Sequence, residues 1–296
     1  MDTLRTMRVI DAHVHAFPPR VFEAIWRWFD RHAWPVQAHY RLQAREVVRH
    51  LLDAGVDRVV ALHYAHLPGM AAALNRFVAD LAAEEPRVVP CATVLPGEPG
   101  AGAILDEALG PLRCRGVKIH CHVQCVAPDD PRLDDVYAAA AAHGVPVVIH
   151  AGDAPASPAY GCDVQALCTP RALARALARH RRTQLVVPHL GAERMEEVAA
   201  LLGDHENLHL DTTMALAGFF PVGPGGKAQG DEAQRWLDRA LALVRAHPDR
   251  ILYGTDFPNL PYAWDTELRT LEAAGLEPAA LRAILGGNAA RLFRID

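Results

Sequence analysis

Arg8-Val9-Ile10-Asp11-Ala12-His13-Val14-His15 is an apolar run that closes on two histidines separated by one residue. Alternate residues of a strand share a face, so the spacing delivers both imidazoles side by side at a strand's carboxyl end. Imidazole is the commonest protein ligand for zinc-like metals. The layout recurs downstream. Val145-Pro146-Val147-Val148-Ile149 ends in His150, Leu185-Val186-Val187-Pro188 in His189, and Ile251-Leu252-Tyr253-Gly254-Thr255 in Asp256. One histidine at a strand end is ordinarily a half-buried polar residue. Five candidate groups, each closing an apolar run, are hard to explain as packing.

Val- and Ile-rich runs fall at about 8–13, 57–63, 87–94, 115–120, 145–150, 184–189, 207–212 and 250–256. Segments of helical period lie between them, such as Glu46-Val47-Val48-Arg49-His50-Leu51-Leu52 and Ala72-Ala73-Leu74-Asn75-Arg76-Phe77-Val78. Glycine commonly precedes a run, as in His143-Gly144-Val145, where a helix ends before a buried parallel strand. Strands alternating with helices in this number predict a (β/α)₈ barrel, an α/β fold whose active site lies at the carboxyl ends of the strands. An open doubly wound sheet is the alternative, and it lacks a Gly-rich phosphate loop after the first strand. The chain reads as one barrel domain over 1–296 with an aromatic-rich insertion at about 17–45, carrying Phe17, Phe22, Trp26, Trp28, Phe29 and Trp34. That insertion either lines the pocket mouth or packs as an excursion without substrate contact. Gly/Pro-rich residues 213–232 read as a mobile loop.

Of the 296 residues, 51% are hydrophobic and 22% charged, with a net charge of −5. That suffices for a large core and argues against nucleic acid, which calls for a basic stripe. Arg171, Arg175 and Arg179 recur every four residues and read as a solvated helix face. No run approaches the roughly 18 apolar residues of a membrane span, and the first residues lack the apolar core of a signal peptide, so a cytoplasmic protein is expected. Six cysteines without a Cys-x-x-Cys pair read as reduced thiols. Cys121 with Cys125, and Cys162 with Cys168, form at most a second, thiolate metal site.

The order His13, His15, Lys118, His150, His189, Asp256 resembles the amidohydrolase superfamily, in particular its amidohydrolase-related group of metal-dependent hydrolases and non-oxidative decarboxylases. The likeness rests on Ile10-Asp11-Ala12-His13-Val14-His15, Gly116-Val117-Lys118-Ile119-His120, Val148-Ile149-His150-Ala151-Gly152, Pro188-His189-Leu190-Gly191, Tyr253-Gly254-Thr255-Asp256-Phe257-Pro258 and Gly287-Asn288-Ala289-Ala290-Arg291-Leu292-Phe293. It implies metal ligation by His13, His15, His150 and Asp256, with Asp256 also carrying the proton of the attacking water. His189 is implied to hold a second ion or to act as acid/base. Lys118 is implied to be a carboxylated bridge between two ions, a cationic contact to substrate, or a salt-bridged structural lysine. An unmodified lysine with one ion is expected.

A divalent metal suits these donors, zinc ahead of manganese. It would lower the pKa of bound water from about 15.7 toward roughly 7, and an adjacent carboxylate can take the proton. The first expectation is therefore a hydrolase of a small-molecule ester, lactone or amide bond. The alternative is a metal-dependent decarboxylase of an aromatic or unsaturated acid, and a non-catalytic binding barrel comes third. The expected partner is a small molecule, with a homo-oligomer left open. His63, His66, Arg113, Arg115 and Asp153 read as rim polarity, with Asp153 also able to orient a ligand. Asn288 reads as a helix cap.

Overall fold

The computed structural model describes residues 6–152, 159–220 and 230–296; Asp153 and the Gly/Pro-rich stretch 221–229 lie outside the described residues. Its strands are β1 (Ile10–His15), β2 (Arg58–Leu62), β3 (Val88–Pro90), β4 (Ala92–Thr93), β5 (Val117–His120), β6 (Val147–His150), β7 (Leu185–Val187), β8 (Leu208–Asp211) and β9 (Ile251–Leu252). Every paired neighbour runs parallel. β3 and β4 occupy one position in the wall, divided at Cys91: the Cys91 N–H donates back to Ala61 O, and the Ala92 N–H donates forward to Gly116 O.

The wall closes between its first and last strands. Val14 bridges Phe257 in parallel. Ala12 N–H donates to Tyr253 O at 2.9 Å, and His15 N–H to Phe257 O at 2.8 Å. The molecule is a (β/α)₈ barrel. Helices cover the outside of the wall, so strands such as Val147-Val148-Ile149 are buried on both faces and apolar throughout.

The barrel interior is plugged from the amino end. Ile10, Ala12, Val60, Leu62, Val148 and Val186 pack there with Leu292 and Phe293 of the closing helix Asn288–Phe293. Ile10 and Ala12 point inward while Val14 packs outward, in the layer between strands and helices. The pairing of β1 with β2 shifts register between Asp11 and Val14. That irregularity changes the phase of the pleat and turns His13 and His15 inward, above the apolar plug. A bulge that re-aims a side chain beside a functional site is a recurrent device.

The closing motif corrects one expectation. Asn288 does not cap a helix: a π-helical turn, Ala283–Gly287, runs directly into Asn288–Phe293. Its amide instead donates to the carbonyls of Pro248 and Ile251, tying the helix to the start of β9. The arginine face of helix Pro170–Arg179 is solvated as expected, with Arg175 on Asp129 and Arg179 on Asp134. Among the described residues no helix is long and apolar enough to cross a membrane.

Candidate metal centre

His13 and His15 end β1, and Asp256 follows β9, the neighbouring strand across the closure. Asp256 Oδ1 lies 3.1 Å from His15 Nε2 and 3.4 Å from His13 Nε2. One ligand atom from each of the three falls within 4.8 Å of the others, which among the described residues makes this the one cluster of three such groups. β9 reaches β1 this closely because residue 254 is glycine. A Cβ there would stand 2.9 Å from His13 Cβ and 2.7 Å from Thr213 Oγ1.

Burial pushes the His13 pKa down to about 4, with the charge of Lys118 adding to the effect. The ring is therefore neutral at neutral pH and keeps a lone pair for a metal. Burial opposes ionisation of Asp256, but His15, by charge and hydrogen bond, and then His13 and His189 outweigh it and hold the carboxyl well below its usual range. Two imidazole nitrogens and one carboxylate oxygen fit a divalent cation of zinc or manganese type.

Asp211, at the end of β8, went unnoticed in the sequence. Its Oδ2 accepts from His13 Nδ1 at 2.9 Å, and its Oδ1 accepts from the backbone N–H of His189 and Thr213. That pairing fixes the His13 tautomer, with the proton on Nδ1 and the lone pair on Nε2, facing Asp256. The signal was available: Leu208-His209-Leu210-Asp211 closes an apolar run as Asp256 does. Carboxylates that hold a ligating histidine typically contribute 10–100-fold to metal affinity. Asp211→Asn keeps an acceptor but loses the charge, and is expected to weaken metal binding by roughly that factor in a chelator-competition titration. Unchanged affinity would make Asp211 a structural acceptor only.

Lys118 is fully buried, with Nζ 3.2 Å from His13 Nε2. Burial pulls its pKa down to about 8 against the attraction of Asp256 and Asp211. His189 Nδ1 donates to Thr213 O at 2.8 Å, which leaves Nε2 as the acceptor of that ring. Burial also lowers the His189 pKa. His150 stands outside the cluster of three. It stacks on His120 at 4.3 Å and meets His189 edge-on at 4.7 Å, ring centre to ring centre. Burial, then the neighbouring imidazoles, drive its pKa far down. Non-glycine residues with left-handed backbone, which costs about 1–3 kcal/mol each, gather here: His189 (φ 59°), Met214 (φ 58°) and Asp256 (φ 75°).

The softer candidates separate. His66 lines the cavity beside this cluster. His63 is buried with its ring nitrogen 3.2 Å from Asn75 Oδ1, a packing role. Arg113 and Arg115 precede β5, so they lie at the opposite end of the barrel, around a separate depression with His143 and Arg294. No disulfide links the cysteines, and among the described residues none joins a cluster of three ligands. The insertion divides: Phe22 and Trp26 pack into the core, whereas Trp28, Phe29 and Trp34 line the cavity.

Solved structures share the whole fold at low identity. An uncharacterised TIM-barrel protein from Bordetella bronchiseptica is 21% identical with a TM-score of 0.72, covering 98% of this chain and 99% of its own. A 2,6-dihydroxybenzoate decarboxylase from Rhizobium is 17% identical with a TM-score of 0.69 (98% and 100% covered). A 5-carboxyvanillate decarboxylase from Novosphingobium aromaticivorans, complexed with manganese and a nitrobenzoic acid, is 16% identical with a TM-score of 0.66 (99% and 97% covered). No curated protein matches the chain. The family model described as Amidohydrolase matches residues 10–295, and the chain belongs to that family.

Proposed function

We propose that the protein is a metal-dependent, non-oxidative decarboxylase of an aromatic or unsaturated carboxylic acid. The sequence placed hydrolysis first. The structural neighbours favour the lyase, since two of the three described above are decarboxylases of hydroxylated benzoic acids. The observation that carries the reading is the cavity itself. Polar groups gather at one end, where His15, His120, His150, His189 and Asp256 stand at the strand ends; apart from His66, His122 and Asn259 the rest of the enclosure is aromatic and aliphatic. Such a space holds a ring with a single acid or hydroxyl at its polar end.

His13, His15 and Asp256 would hold one divalent cation, manganese or zinc, with His150 completing the set. When bound, the cation would polarise a carboxylate or hydroxyl oxygen of the substrate and stabilise negative charge developing on the ring. Asp256 is held ionised, so it first takes a proton from solvent or from a substrate hydroxyl. It then delivers that proton to the carbon losing its carboxyl group. The C–C bond breaks, its electron pair stays with the ring carbon, and CO₂ departs. His189, through Nε2, accepts a hydrogen bond from the substrate hydroxyl and orients the ring. Lys118 stays unmodified and helps balance the buried carboxylates.

A panel of hydroxylated benzoic acids, esters and lactones, assayed with manganese- and zinc-loaded protein, tests the assignment. Release of CO₂ from an acid is expected. Ester or lactone cleavage with no CO₂ from any acid would return the reading to hydrolysis.

A further inference from the structure

We propose that the outer half of the cavity is a subsite for a second apolar group of the substrate, a further ring or an aliphatic chain attached to the acid that reacts at the strand ends. The inference rests on the decarboxylase reading for the reacting end alone. The cavity holds about 420 Å³, within the range of roughly 300–1,000 Å³ usual for ligand pockets.

Its walls change chemistry with depth. Two ladders of rings lead outward from the site histidines. His150 meets His122 at 4.6 Å, His122 meets Tyr160 at 5.2 Å, and Tyr160 meets Trp28 at 5.7 Å. His189 meets Phe220 at 5.8 Å, Phe220 meets Phe219 at 5.6 Å, and Phe219 meets Trp34 at 6.1 Å. Both ladders begin in imidazole and end in indole on the 17–45 insertion. Val21, Ile25 and Phe29 of the same insertion also line the cavity.

No lysine or arginine lines this cavity among the described residues. An anionic tail placed among these rings would give up its water and find no lysine or arginine to pair with. An apolar group gains by burial and by offset or edge contacts with the rings. Three elements contribute: the insertion, the segment after β6 that bears Tyr160, and the segment after β8 that bears Phe219. Their rings touch one another across the three elements.

The test compares two acids with the same reacting end, 2-hydroxybenzoate and 3-phenyl-2-hydroxybenzoate. Calorimetric binding to manganese-loaded wild type, Trp28→Ala and Trp34→Ala is read alongside CO₂ release. In the wild type the biphenyl acid is expected to bind roughly 10- to 100-fold tighter, and the ratio is expected to fall toward one in the variants. Trp28→Leu replaces any alanine variant that fails to fold. Equal affinity for the two acids in wild type, or a preference that survives in both variants, overturns the subsite. A preference for the biphenyl acid, with no CO₂ from either acid or from any other acid of the panel, leaves the subsite standing and removes the decarboxylase reading. CO₂ from both acids at equal kcat/KM does the reverse.

Discussion

Asp256→Asn is expected to lower turnover by at least roughly 10²–10⁴-fold, the usual cost of removing a general acid/base, while the metal stays bound. Asparagine keeps the shape of the side chain and an oxygen that can face the cation. It cannot carry a proton to carbon. Asp256 stands against both histidines of β1 and lines the cavity, with its side chain 14% exposed, so it faces the cluster and the substrate space together. Steady-state kinetics with elemental analysis of the variant checks this. Full turnover would make Asp256 a ligand only, and loss of metal along with activity would leave its proton role without support.

His13→Ala combined with His15→Ala is expected to take metal content from one equivalent per chain to background and abolish activity, while far-UV circular dichroism stays near wild type. The separation follows from the architecture. The two imidazoles stand above the plug of Ile10, Ala12, Val148 and Leu292 and are not part of it. The core between strands and helices, with Val9, Val47, Val117 and Leu173 among its members, is untouched. Barrels of this kind hold their stability in the core and their chemistry at the carboxyl ends of the strands. Undiminished metal in the double variant would move the site elsewhere. Two equivalents in the wild type would point to a bridging, carboxylated Lys118.

The barrel was legible because parallel strands buried on both faces leave uninterrupted Val/Ile runs, and these fall where β1 to β9 lie. Part of the candidate cluster was legible for a related reason: a polar residue that ends such a run has one place to go. His13, His15 and Asp256 meet on that logic alone. Alternation along β1 did not suggest that Ile10, Ala12, His13 and His15 would all turn inward. That depends on the register shift between Asp11 and Val14, which arises in pairing with β2 and leaves no local mark. Asp211 was missed although it obeys the same rule as Asp256, because its partner is His13, 198 positions away. The insertion resisted reading for another reason. Phe22 and Trp26 face the core while Trp28 and Trp34 face the cavity, and aromatic content does not say which side a ring takes. Asn288 looked like a cap because the residues before it continue the helix in π form rather than ending it.

Turnover of a hydroxylated benzoic acid in D₂O by manganese-loaded protein, followed by NMR, separates decarboxylation from hydrolysis. One deuterium on the carbon that carried the carboxyl group, with one CO₂ per product, is the predicted result. A product that keeps its carboxyl group and gains the elements of water at another bond would contradict it.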